Sequence, residues 1–410
     1  MPNISTFDEK TQFIAIISLA LHKHGLAAHN LESVINNISQ SMNLEVEVFS
    51  TPTLLLIDLS DRGTNESKQI AKRLKPGEIN LELLSNIDSL GDQVIAGKVS
   101  VKDAISKLND LENGKDLYPN SLNVLAFGAI ALTIAILFGT NPTTLLLSFL
   151  GGILVGLIAI YLSQIIDISR FSELLLAFFI SFLSNLIFQF YPHFNPNLVN
   201  ICSLIYLVPG VSLTIAIAEL ATENLVSGTA RFMGAIMNLF KLVFGLVIGA
   251  YFAASFINNQ EITKFSSIDY PLGIQILALL LVAGGFVVLM KTKFENYFWI
   301  LGAACAGYGS YKLILSYSHE PFIASFIASF SVSLLSSVYA RLSNHPALTI
   351  LIPGITLLVP GSMGLRGLSL VLQEDSALGM NTLIKVFFIG IAIVAGLLLA
   401  NICLPPKRSL

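Results

Sequence analysis

The sequence predicts a polytopic α-helical membrane protein, with about ten transmembrane helices in two inverted five-helix repeats behind a small N-terminal cytoplasmic α+β domain. Three observations lead there. Of 410 residues, 54% are hydrophobic and only 12% charged, a makeup that ordinary soluble globular chains do not have. Charged residues crowd into positions 1–116, whereas 121–403 is a train of apolar blocks. The run Leu207-Val208-Pro209-Gly210 recurs as Leu358-Val359-Pro360-Gly361. The expected division is 1–116 for the cytoplasmic domain, 117–262 for the first five-helix repeat and 263–410 for the second.

In the head, a helix is expected over 7–24 with Phe13, Ile17, Ala20 and Leu21 on one face and Gly25 closing it, then a second over 28–42. The alternation in 44–48 and the β-rich run 53–59, separated by Ser50-Thr51-Pro52, predict two strands joined by a tight turn. Helices over 80–96, stopped by Gly97, and 100–111, opened by Ser100 with Asp103, complete it. The apolar run 13–21 is too short to span a bilayer and follows Asp8 and Glu9, so no cleaved targeting segment is expected. His22, His24, His29, Glu32, Ser50 and Thr51 are residue types of hydrolytic or metal-assisted chemistry. With neither a nucleophile motif nor HExxH spacing, the histidines read as surface or cap residues and Ser50-Thr51 as turn residues. No metal, cofactor or catalytic residue is assigned.

Apolar stretches long enough to cross a bilayer fall at 121–138, 143–162, 174–190, 198–218 and 232–256, then at 271–290, 297–315, 321–339, 347–368 and 383–403. The Pro-Gly run sits in the fourth span of each set. Asn195-Pro196 and His345-Pro346 stand at matching positions upstream. Two homologous units of five spans must cross the membrane in opposite senses. Lys115, Arg170, Arg231, Lys291, Lys293, Arg341, Lys407 and Arg408 fall on one side, leaving mainly Lys264, Lys312 and Arg366 opposite, which puts both termini in the cytoplasm. The cysteines, Cys202, Cys305 and Cys403, have neither ligand spacing nor disulfide density and are expected to be buried packing residues. No basic stripe tracks a nucleic acid.

Proline removes a backbone donor, so Pro209-Gly210 and the stretch from Pro353-Gly354 to Pro360-Gly361 should break or kink spans four and nine. Half-helix N-termini there can meet a carboxylate and free carbonyls an ammonium, the two ends of an amino acid. Ser212, Thr214, Thr356 and Ser362, with Ser203 nearby, offer hydroxyls to a substrate hydroxyl. The alternative is a purely structural kink. Glu219, Lys241, Arg366 and Lys385 are ionisable residues in or near spans; Glu219 is the candidate for proton coupling, and snorkelling is the alternative for the lysines. Gly152/Gly156 and Gly245/Gly249 read as helix-packing seams.

The segment from Ala20-Leu21-His22-Lys23-His24-Gly25 through His29 and Glu32, followed by Ser50-Thr51-Pro52-Thr53, resembles the opening of the threonine/serine exporter family; 77–108 is similar to its pre-membrane helices. The motif positions are His22, Gly25, His29, Glu32, Thr51, Pro52 and Thr53. The resemblance implies proton-motive-force-driven efflux of threonine and serine across a bacterial cytoplasmic (inner) membrane, in a family whose halves also occur as separate subunits. Some split relatives are linked to succinate export, so a dicarboxylate exporter is the rival reading, and a membrane-anchored hydrolase acting through residues 1–116 a more distant one. The partners expected are a hydroxy amino acid, the lipid bilayer and a second copy in a homo-oligomer, with no nucleic acid.

Overall fold

The computed structural model describes residues 6–63, 66–163, 171–256, 268–372 and 376–407. The head opens with α1 (Phe7–Lys23), whose N-cap Thr6 and Glu9 form a reciprocal capping box, and Gly25 ends it at φ +85°. Phe13, Ile14, Ile17 and Leu21 form its fully buried stripe, against which α2 (Ala28–Ser41) packs Leu31, Ile35 and Ile38. Strands β1 (Leu44–Thr51) and β2 (Leu54–Asp61) pair antiparallel around the two-residue turn Pro52-Thr53. A third strand, β3 (Ser67–Arg73), adds to β2. Apolar alternation does not predict it, because SKQIAKR carries one half-buried apolar residue, Ile70, among the lysines of an exposed sheet edge. Helices α3 (Leu81–Ile95) and α4 (Val101–Glu112) start at the side-chain caps Asn80 and Ser100.

Nine helical segments of the described residues are long and apolar enough to span a bilayer, and ten if one bent pair is a single span. In chain order the first set is α5 (Asn120–Leu137), α6 (Pro142–Ser163), α7 (Ser172–Phe190), the pair α8 (Pro196–Leu204) and α9 (Gly210–Ala221), and α10 (Leu225–Ala254). The second is α11 (Leu272–Leu289), α12 (Tyr297–Ser318), α13 (Pro321–Ser343), the pair α14 (Leu348–Thr356) and α15 (Gly361–Leu372), and α16 (Ser376–Cys403). Within each set the same partners meet: α5 with α6 as α11 with α12, α7 with α10 as α13 with α16, and α9 with α10 as α15 with α16. Contacts between the sets are reciprocal, α9 touching α16 while α10 touches α15, and α5 lying along α11.

Spans four and nine both break, but differently. A short 3-10 turn, Ile205–Leu207, follows α8, and α9 leaves at 55°. In span nine the interruption is confined to 357–360; Pro353 lies inside α14 rather than breaking it. Gly354 lets α14 close onto α12 and α13: a β-carbon there would fall 2.5 Å from Val332 Cγ1 and 3.0 Å from Ala303 Cβ. Cys202 is buried as expected, whereas Cys305 and Cys403 are exposed, a correction that follows from their place on outward faces of spans where lipid takes up apolar side chains.

The head sits on one face of the membrane region. Leu81 and Glu82 donate backbone N–H bonds to the Met290 and Lys291 carbonyls at 3.1 and 3.0 Å, Lys293 pairs with Glu82, and Ser85 Oγ hydrogen-bonds His345 Nδ1 at 3.1 Å. Arg341, bonded to the Pro405 carbonyl, places the C-terminal end on this same face. The opposite face is tied by Ile268 N–H to the Gly139 carbonyl and by Asn141 to the His193 carbonyl. Arg170, Lys264 and Arg408 lie outside the described residues.

The two glycine seams pack helices. A β-carbon on Gly249 would stand 2.5 Å from the Phe178 carbonyl oxygen, and one on Gly152 2.7 Å from that of Phe127. Gly249→Leu should therefore cost about 2 kcal/mol or more and lower the melting temperature of the purified protein, whereas Gly273→Leu, where nothing lies within 4 Å, should leave it unchanged.

Candidate functional site

The two broken spans meet. A β-carbon on Gly210 would lie 2.5 Å from Val359 Cγ1, and one on Gly361 2.8 Å from Val208 Cγ1, so each Val-Pro-Gly run is seated on the glycine of the other. Larger residues at either glycine would push the breaks apart. Helices α9 and α15 both begin here, with first-turn N–H groups that have no acceptor within their own helices. The α8 turn and α14 end beside them, so partial positive and partial negative helix ends converge on one place. Ser212 and Ser362 are half-buried close to these N-termini, while Thr214 and Thr356 donate their hydroxyls to the Gly210 and Ile352 carbonyls of their own helices. Pro353 and Gly354, one turn away, serve helix packing.

Beside the crossing lies a cavity of about 300 Å³ between α9, α10, α15 and α16. Thr214, Val359, Pro360 and Gly364 form its inner end and apolar side chains the rest. None of the cations expected near a central site lines it. Lys241 pairs with Glu173 at 3.5 Å, and Arg366 and Lys385 have exposed side chains.

Glu219 is elsewhere: fully buried where α9 reaches the head. Arg231 of α10 grips it with two bonds of 3.1 Å, Ser227 Oγ donates at 3.0 Å, and the Ala28 N–H, the first of α2, donates at 3.0 Å. The N-cap of α2 is Ala27, which has no side-chain acceptor, so a carboxylate from the membrane region caps a helix of the head. That missing cap is a signal legible in the sequence; the pairing with Arg231, which by position is only a basic flank, is not.

The head motif gathers at this junction. His22 Nε2–H donates to the Thr51 carbonyl at 2.9 Å, and the Ser50 N–H donates to Glu32 at 3.3 Å. Thr51 Oγ1 accepts the Leu54 N–H across the turn that Pro52 and Thr53 make. Gly25 lets the chain turn from α1 into α2. Contrary to the surface or cap reading, His22 and His24 are buried. Burial holds His22, His24 and His29 below the ordinary imidazole value, a loss that the Thr51 bond opposes at His22 and the Glu219 carboxylate at His29. Burial pushes Glu32 up, with the Ser50 bond opposing.

Removing one partner of a buried, fully bonded ion pair is expected to cost about 3 to 5 kcal/mol. Glu219→Gln or Arg231→Met should therefore release α2, seen as faster amide exchange over 28–41 while α11–α16 stay protected. Acid should act similarly. Because the folded head holds its histidines below 6.5, the unfolded head binds more protons as pH falls through that value; head stability is full above about 6.5 and declines below it, which a pH series of proteolytic protection would record.

Comparison with known proteins fits this architecture. The sequence model described as a putative threonine/serine exporter matches residues 12–253, and one described as threonine/serine exporter, ThrE, matches 275–403. Pheromone-regulated membrane protein 10 of Pichia sorbitophila is 24% identical over 88% of this chain and 37% of its own length. That of Eremothecium gossypii is 24% identical over 88% of this chain and 49% of its own, and that of Candida albicans 25% over 88% and 33%. The chain thus spans less than half the length of these relatives. No solved structure matches. On the strength of both matches, this multi-pass membrane protein belongs to the threonine/serine exporter family of transporters.

Proposed function

We propose that the chain is a secondary exporter of threonine and serine, driven by the proton motive force, with its substrate site at the crossing of the two broken spans. The observation that carries this is the meeting of two half-helix N-termini, α9 and α15, at Gly210 and Gly361. Opposed N-termini favour a carboxylate, the carbonyl ends of α8 and α14 an ammonium, and Ser212 and Ser362 stand near enough to meet a hydroxyl. Pro209 and Pro360 keep the breaks open.

The reciprocal contacts between the sets support reading 117–262 and 263–410 as inverted repeats that rock about this crossing, with 1–116 and both termini in the cytoplasm of a bacterial cell. Protonation of Glu219 would loosen its hold on Arg231 and the Ala28 N–H, so coupling through this residue would act on the head as well as on α9. The dicarboxylate reading calls for free cations at the substrate site, whereas Lys241 is paired with Glu173 and the side chains of Arg366 and Lys385 are exposed.

Cells expressing the chain and preloaded with labelled threonine, serine or succinate should lose threonine and serine, and an uncoupler should stop the loss. Gly210→Val and Gly361→Val, by pushing the two breaks apart, should slow efflux by about tenfold or more, equivalent to about 1.4 kcal/mol. Uncoupler-insensitive traces, or loss of succinate alone, would overturn the proposal.

A further inference from the structure

The cavity beside the crossing is poorly suited to a hydroxy amino acid, because its walls are apolar apart from Thr214, whose hydroxyl is already bonded within α9. Its lining runs from Phe232 to Phe240 on α10, from Pro360 in the break to Leu368 on α15, and from Leu383 to Gly390 on α16. Each stretch covers about two helical turns, or roughly 12 Å along the helices. Its mouth is lateral. Phe240 and Phe387 in its walls are about half exposed, and exposed Met237, Phe244, Phe388 and Ile391 continue the apolar surface on either side. The rings of Phe232 and Phe387 meet edge-to-face at 6.4 Å, bridging α10 and α16.

We propose that this slot binds one acyl chain of a bilayer phospholipid. The mouth opens on the outward faces of two spanning helices, where the surrounding medium is hydrocarbon chains, and an apolar slot gains nothing by admitting water. A hydrocarbon chain entering from the bilayer meets only apolar wall over the two turns that the lining spans. The occupant would lie between the α9–α10 hairpin of one set and the α15–α16 hairpin of the other, against Val359 and Pro360 of the crossing. A chain there holds the hairpins apart at the level of the substrate site, so its entry and exit belong to any motion of one set against the other. The site stands on wall chemistry and on continuity with the exposed apolar surface of α10 and α16, and does not depend on the cargo.

Gly364 lies in the slot wall, and a β-carbon there has ordinary contacts of 3.8 Å with Leu239 and Val386, so Gly364→Leu fills the slot without a backbone clash. Val386→Trp does the same from α16. The full chain is reconstituted in phosphatidylethanolamine/phosphatidylglycerol vesicles containing a trace of phosphatidylcholine with a diazirine in mid-chain, irradiated and peptide-mapped. Adducts should concentrate in 232–240 and 383–390. Each slot-filling variant should cut them about tenfold, the loss of roughly two methylenes' worth of burial. Gly234→Leu, where nothing lies within 4 Å, should not. Even labelling over all outward faces of the wild-type spans would overturn the proposal, as would unchanged adducts in a folded slot-filling variant or adducts only from a free photoreactive fatty acid. Should neither variant fold, the wild-type map alone decides. An efflux failure leaves this readout untouched.

Discussion

Backbone polar groups inside a bilayer have no water to turn to, and that constraint governs how a chain can interrupt a spanning helix. Here two helices are interrupted, and each break is placed against the other, glycine to valine and valine to glycine. The glycines permit the approach; the prolines withhold donors that would otherwise have closed the helices. Everything around the crossing depends on keeping it in register. The long helices α10 and α16 brace the half-helices α9 and α15, and in turn lean on α7 and α13 through glycines that let backbones touch.

The spans were legible because lipid imposes one rule on twenty successive residues, and hydropathy reads that rule directly. Their edges came out within a few residues except for α10 and α16, which begin earlier, at Leu225 and Ser376. The two breaks were legible because Val-Pro-Gly is rare enough inside apolar blocks to mark them. Much of the head was legible too, since Gly25, Gly97 and Ser100 are local punctuation.

Long-range pairing of polar groups could not be read. Glu219 and Arg231 are separated by a helix turn-around and looked like unrelated charges, one intramembrane and one flanking. Their partnership with Ala28, far away in the sequence, depends on how the head is seated, which no local pattern encodes. The apolar slot was equally invisible, because its lining residues differ in nothing from those that face lipid or fill a core.

The head touches both sets of spans. Glu219 and Arg231 hold it from α9 and α10, while the Met290 and Lys291 carbonyls and His345 hold it from the other set. It is therefore a clasp across the seam on one face of the protein. Two bodies joined by a clasp cannot separate on that face while both fastenings stay shut, so wherever the seam opens there, one fastening must let go. The two fastenings differ in kind: the first is a buried carboxylate–guanidinium grip, the second a set of backbone bonds with one surface ion pair and one serine–histidine bond beside them.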